Sequence, residues 1–346
     1  MKFSHYASIV AGAALMTTTA LGAASARDQI QIVGSSTVFP FSTSVAEQFG
    51  QKTSFKTPVV ESTGSGGGMK LFCAGVGENT PDITNASRRM KEKEFKLCAG
   101  NGVTPVEVKI GFDGIVMANS KSGPDLDISR EQIFLALAKE VPGADGKLIP
   151  NPYTKWSEID PSLPDTKIEV LGPPPTSGTR DAFAEIALEG GAEKIEILAT
   201  LRKEDKKAFK KIAHAVREDG AYIEAGENDN LIIQKLEANP NAFGVFGFSF
   251  LDQNADKVKG ANVNGTEPEF ENIAAGDYPI SRSLFFYVKK EHVGVIAGIE
   301  EYVAEFTAEG TWGLDGYLAD KGLIPLPDED RETIADSAQS MAPMSF

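Results

Sequence analysis

Polar and apolar residues alternate from Gln29 to Val33, the two-residue period of a half-buried strand. The run stops at Gly34-Ser35-Ser36-Thr37-Val38-Phe39-Pro40. A helical spacing then runs through Val45 and Phe49, with Ser44 and Glu47 placed as a capping box. Thr57 to Ser62 predicts a second short strand, which runs into Thr63-Gly64-Ser65-Gly66-Gly67-Gly68. A helical pattern carrying Met69, Leu71, Phe72 and Val76 follows. Val106 to Asn119 is mostly apolar and predicts one or two buried strands broken at Asp113-Gly114. Lys167 to Leu171 predicts a strand leading into Gly172-Pro173-Pro174-Pro175-Thr176-Ser177-Gly178-Thr179-Arg180, and the next helix carries Phe183, Ile186 and Ala187. Ile195 to Ala215 is mostly helical, with a lysine-rich face that solvent would cover. Phe243 to Leu251 and Ser283 to Lys289 predict apolar strands. Ile299 to Phe306 and the stretch around Trp312 predict helices, and the acidic, turn-rich tail after Pro325 predicts loose packing. Strands alternating with helices give an α/β protein, with no internal repeat.

The N-terminus changes this picture. A basic start at Lys2, an apolar stretch from Ala7 to Leu21 and the small residues Ala24-Ser25-Ala26 before Arg27 read as a signal peptide over residues 1–26. No later segment approaches the roughly 18 apolar residues of a membrane span. The expected mature chain, residues 27–346, is soluble and exported to the periplasm. Its 320 residues exceed one typical domain and predict two lobes. The removed segment carries one lysine and no acid, so the formal net charge passes from −15 to −16. So acidic a chain is a poor partner for nucleic acid, where binding depends on Lys and Arg neutralising phosphates, and it has no polybasic stretch for an anionic membrane. It can still hold a small anion, which responds to donors within a few ångströms; salt screens exposed charges beyond about 10 Å.

Two cysteines, Cys73 and Cys98, stand 25 residues apart. In an exported chain an even count predicts a disulfide, and closing a loop of this size contributes roughly 3 kcal/mol. No metal site is expected, because only His214 and His292 remain after cleavage and neither neighbours a cysteine. No cofactor is expected either.

One pattern occurs three times: a strand, a Ser/Thr/Gly loop, then a helix. The loops are Ser35 to Val38, Ser65 to Gly68 and Ser177 to Thr179. The first N–H groups of a helix lack partners and point outward, and the dipole there favours negative charge. Glycine lets backbone approach a ligand closely, and hydroxyls add donors without charge. Three such termini meeting at one point would enclose a tetrahedral oxyanion.

The chain resembles the phosphate-binding proteins of phosphate ABC importers. The resemblance is carried by Ile32-Val33-Gly34-Ser35-Ser36-Thr37-Val38-Phe39-Pro40, Gly64-Ser65-Gly66-Gly67-Gly68, Asp82-Ile83 through Ala86-Ser87-Arg88, Phe112-Asp113-Gly114-Ile115-Val116, Thr176-Ser177-Gly178-Thr179-Arg180 and Gly276-Asp277-Tyr278-Pro279-Ile280-Ser281-Arg282. It implies a type II periplasmic-binding-protein fold, α/β, with the ligand in a cleft between two lobes. The expected lobes are residues 27–112 plus 283–346, and residues 113–282. It also implies ligand contacts from Ser36, Thr37 and Val38 (the last through its N–H), and from Ser65, Ser177, Gly178 and Thr179. The implied partners are inorganic phosphate and the membrane permease of an ABC importer, with the protein itself a monomer. Two positions depart from the family. Some members have Asp where this chain has Ser87, and some have Arg where it has Pro173. Arg88 and Arg180 are then the arginine candidates for the anion.

Selection against sulfate needs an acceptor, since monohydrogen phosphate carries a proton and sulfate does not. Asp113, which interrupts an apolar run, is the candidate. Other readings are a binding protein for sulfate, molybdate or tungstate, a phosphate-binding adhesion protein, and a secreted phosphate-ester hydrolase. Against the hydrolase, the chain has no G-x-S-x-G, no H-E-x-x-H and no P-loop, and few histidines for general-base work.

Overall fold

The computed structural model describes residue 1, residues 27–226 and residues 229–346. Apart from Met1, the expected signal peptide lies outside the described residues. No helix among the described residues is long and apolar enough to cross a membrane.

Nine strands form the main sheet: β1 (Gln31–Gly34), β2 (Val59–Ser62), β3 (Ile83–Ala86), β4 (Pro105–Ser120), β5 (Val170–Gly172), β6 (Tyr222–Glu224), β7 (Phe243–Gly247), β8 (Val258–Gly260) and β9 (Ser281–Lys289). The order is β2-β1-β3-β9-β4-β7-β5-β6, with β8 also paired to β4. Strands β2, β1 and β3 run parallel, as do β7, β5 and β6, whereas β9 and β4 are antiparallel to their neighbours. Parallel strands need crossover segments. Helices α1 (Phe39–Lys52) and α2 (Ser65–Phe72) supply two of them, and α3 (Glu92–Gly100) follows β3. The long antiparallel pair β4 and β9 joins the two halves of the sheet.

The apolar core divides accordingly. One cluster runs from Phe112 to Ile280 and gathers Ile324 and Leu326. A second takes Ile30 to Ile110 together with Leu284 to Met341. A third, smaller cluster surrounds the disulfide between Cys73, at the end of α2, and Cys98, in α3. This is the α/β, two-lobe architecture expected from the sequence.

Local details differ from the periodicity. Asp113-Gly114 does not break β4, because Arg282 and Ser281 on β9 pair with them and keep the ladder continuous. The apolar run 243–251 is strand only to Gly247. It turns into a helix, Phe248–Gln253, whose Phe248 and Leu251 lie three residues apart on one buried face. Helix α1 starts at Phe39, five residues before Ser44, so Ser44 is a buried interior residue rather than a cap. Pro40 occupies the first turn, where no N–H bond is lost. The tail is not loose: helix Asp328–Gln339 buries Arg331 between Glu309 and Asp328 and sends Ala338 into the second cluster.

Candidate functional site

The first loop is shaped by close backbone packing. A Cβ on Gly34 would lie 2.1 Å from the Asn85 carbonyl oxygen, and Gly34 has φ +128°. A Cβ on Gly68 would lie 2.6 Å from the Gly34 Cα. Only glycine lets β1, β3 and α2 meet this tightly. The chain then turns through Ser36 to Val38 into α1. The Val38 N–H donates to Ser35 Oγ over 3.4 Å, and the Phe39 N–H donates to the Ser35 carbonyl over 3.0 Å.

In the other half, β5 ends at Gly172, and the Tyr222 hydroxyl donates to the Pro173 carbonyl over 2.9 Å. Ser177 caps helix α4 (Gly178–Phe183), its Oγ accepting from the Thr179 N–H at 3.2 Å. The two loops face one another. A Cβ on Gly178 would be 3.7 Å from the Ser36 carbonyl oxygen, so a side chain there would fill the gap between them.

Ser36, Thr37, Asp113, Ser177, Gly178 and Thr179 line one cavity of about 610 Å³. Six candidate residues, separated by up to 143 positions, are thus brought together. Asp113 sits at the crossing of β4 and β9. Its ladder partner is Arg282, whose Nε donates to Asp113 Oδ2 at 3.3 Å. The same guanidinium donates from Nη1 to Glu185 Oε2 at 2.8 Å and from Nη2 to Thr37 Oγ1. Burial pushes the Asp113 carboxyl above its usual range, and the adjacent Arg282 opposes that shift. Asp181, on the same wall, is also raised, by burial first and then by Glu185.

The remaining candidates lie elsewhere. The Val38 side chain is fully buried in the second core cluster, while its N–H, the group expected to contact the ligand, sits between the cavity-lining Thr37 and Phe39. Ser65 does not line the cavity. Its Oγ accepts from the Ser87 N–H and pairs with Ser87 Oγ, both at 3.1 Å. Residues 65–68 form the first turn of α2 rather than a loop before it. Arg88 is held by both oxygens of Glu94, at 2.8 and 2.7 Å. Arg180 stacks on the Tyr222 ring, 4.4 Å from its centroid, and lines a neighbouring cavity of about 560 Å³.

Two cations escaped the sequence reading, one in the cavity lining and one bonded to lining residues. Lys321 lines the cavity from the C-terminal part of the chain. Arg282 closes the last stretch of the resemblance, yet its partners are 169 and 245 residues away, which no local spacing reveals. The cavity offers uncharged hydroxyl and backbone donors on two facing loops, a guanidinium bonded to two of its lining residues, Thr37 and Asp113, and three carboxylates, of which Asp113 is the one paired with that guanidinium. That set can hold a small oxyanion and test it for a proton.

Comparison with known proteins agrees with this chemistry. The family model for the PBP superfamily domain matches residues 19–309. Protein SphX of Synechococcus elongatus is 31% identical over 300 residues, covering 85% of this chain and 76% of its own. The phosphate-binding protein PstS of Staphylococcus saprophyticus is 28% identical over 304 residues, covering 86% and 80%. Among solved structures, a possible phosphate binding protein from Planctomyces limnophilus superposes with a TM-score of 0.69 at 26% identity, over 91% of this chain and 98% of that one.

Proposed function

The chain belongs to the PBP superfamily, and from that premise we propose that it is an extracytoplasmic solute-binding protein that captures inorganic phosphate and passes it to the membrane permease of an ABC importer. The observation that carries this reading is the cavity where the Ser36-Thr37 turn meets the Ser177-Gly178-Thr179 helix cap, with Asp113 in its lining and Arg282 bonded to both Asp113 and Thr37. The relatives named for phosphate binding support the choice of anion.

In this proposal Ser36, Thr37, Ser177, Gly178 and Thr179 donate hydrogen bonds to phosphate oxygens. Arg282 supplies the fixed positive charge, and Asp113 accepts the proton of monohydrogen phosphate. Val38 contributes its N–H at the start of α1, and Ser65 acts through its bonds to Ser87. Arg88 is bonded to Glu94 and Arg180 is stacked on Tyr222, both outside this cavity, and neither is assigned to the anion. The lobes are residues 27–112 with 283–346, and residues 113–282, hinged where β4 and β9 cross. The chain is exported to the periplasm with residues 1–26 removed, works as a monomer, performs no catalysis and binds no nucleic acid.

Calorimetric titration of residues 27–346, stripped of bound ligand, tests it. The expected result is about one phosphate per chain, with sulfate and molybdate binding more weakly. Preference for molybdate or sulfate overturns the phosphate assignment, and turnover of a phosphomonoester overturns the non-enzymatic one.

A further inference from the structure

Arg282 is nearly enclosed, and its three acceptors are not equivalent. Thr37 is buried, and Asp113 is fixed opposite Arg282 by the strand register. Neither can leave without deforming a turn or a ladder. Glu185 is different. Its side chain is 41% exposed against 14% for Arg282, and it sits on the helical run that begins at Gly178, one turn beyond the cavity-lining Asp181. Rotation about its own side-chain bonds is enough to move its carboxylate into water.

Arg282 does not itself line the cavity between Ser36-Thr37 and Ser177-Gly178-Thr179, but it donates to two residues that do, Thr37 and Asp113, so an oxyanion seated there lies beside its guanidinium. The anion also enters a cavity whose walls already carry Asp113, Asp181 and Asp320 against the single lysine Lys321. Carboxylate and phosphate oxygens make the same charge-assisted bonds to a guanidinium. One of the resident carboxylates must then give way, and the exposed one does so at least cost, because an exposed ion pair contributes little.

Building on the phosphate reading above, we propose that Glu185 is an internal competitor for the anion: its carboxylate holds the outward Nη1 of Arg282 and is exchanged for phosphate on binding. Glu185 keeps Arg282 aimed and compensated, and it lowers the affinity for phosphate by the strength of the contact that is surrendered. Affinity is thereby tuned by a residue that need not touch the ligand.

The test compares phosphate titrations of the parent, Glu185→Gln and Asp181→Asn at low ionic strength. Glu185→Gln should bind phosphate about threefold to fivefold tighter, the range expected for removing one partly exposed ion-pair partner. Asp181→Asn, which also removes one negative charge but no contact with Arg282, should give a distinctly smaller gain. The gain from Glu185→Gln should vanish in an Arg282→Gln background. Tightening is a readout that mere loss of a structural contact does not produce. If the parent binds phosphate and Glu185→Gln binds it equally or more weakly, the proposal is overturned while the phosphate reading stands. An equal gain in Asp181→Asn overturns it too, in favour of a general charge effect. If neither the parent nor the variants bind phosphate, the phosphate reading itself fails and this proposal with it.

Discussion

Asp113 and Arg282 face each other across the two strands that join the halves of the protein, with Nε of one 3.3 Å from Oδ2 of the other. Both side chains are mostly buried, at 13% and 14% exposed. The pair stands where β4 and β9 join the two halves of the sheet, and the other edges of its guanidinium reach the Thr37 turn and Glu185. Charge at the site is therefore fixed by sheet register and not by a flexible loop.

Arg282→Ala should weaken phosphate binding by roughly 2–4 kcal/mol, the scale for losing one partner of a desolvated charged contact. It also leaves Asp113 buried without its partner, which lowers stability. Arg282→Lys keeps the charge without the planar fork, and should recover stability more fully than affinity. Calorimetry and thermal melting separate the two effects. Unchanged affinity in both variants would remove Arg282 from the site.

Asp113→Asn should narrow the preference of phosphate over sulfate. The amide repels a fully ionised oxyanion less than a carboxylate does, and it offers an N–H where the parent offers only lone pairs. Competition binding of the two anions at neutral pH measures the ratio. A ratio equal to the parent's would mean that the proton is read elsewhere.

Arg180→Ala should cost about 1–2 kcal/mol of stability, through the lost stacking on Tyr222 and the lost packing of its stem, while phosphate affinity stays within a few-fold of the parent. A loss of affinity matching that of Arg282→Ala would return Arg180 to the anion.

These contrasts mark how far the sequence could be read. The strand–loop–helix pattern placed Ser36, Thr37, Ser177, Gly178 and Thr179, because each depends on a turn or cap formed by its own neighbours. The apolar run around Asp113 marked a buried strand, but the expected break at Asp113-Gly114 is absent because the ladder to Ser281 and Arg282 continues through it. Arg180 was legible only in part. Its place in the first turn of α4 was legible, but its direction depends on Tyr222, 42 residues later in another strand. Arg282 depends on a register between strands that are distant in the chain. The helix Asp328–Gln339 was hidden by its acidic composition, since what holds it is the burial of Arg331 and Ala338 against helices formed earlier.

Reduction of Cys73–Cys98 should lower stability by roughly 3 kcal/mol, the loop-closure value for a separation of 25 residues. The bridge joins α2 and α3 within a cluster that does not line the cavity of Ser36 and Ser177. Affinity should therefore survive reduction at temperatures where the protein stays folded. Parallel melting and titration of oxidised and reduced protein checks both statements, and a loss of binding without unfolding would contradict the second.

A last prediction concerns alkaline pH. Lys289 is buried on β9, where its Nζ donates to the Gly75 carbonyl over 2.7 Å and also to Thr80 Oγ1, with the Phe72 ring alongside. Burial pulls its pKa down to about 8, against the opposing pull of Asp82 and Glu291. A depressed lysine means that the unfolded chain holds more protons than the folded one from about pH 8 upward, so stability should rise with pH in that window. The rise cannot continue far. Burial holds the Tyr278, Tyr287 and Tyr302 hydroxyls well above their usual range. Above about pH 10 the unfolded tyrosines therefore lose protons that the folded ones keep, and the slope reverses. Denaturant unfolding should show stability climbing between about pH 8 and pH 10 and falling beyond. Lys289→Met should flatten the climb and leave the fall. A climb unchanged in Lys289→Met would assign it to another group.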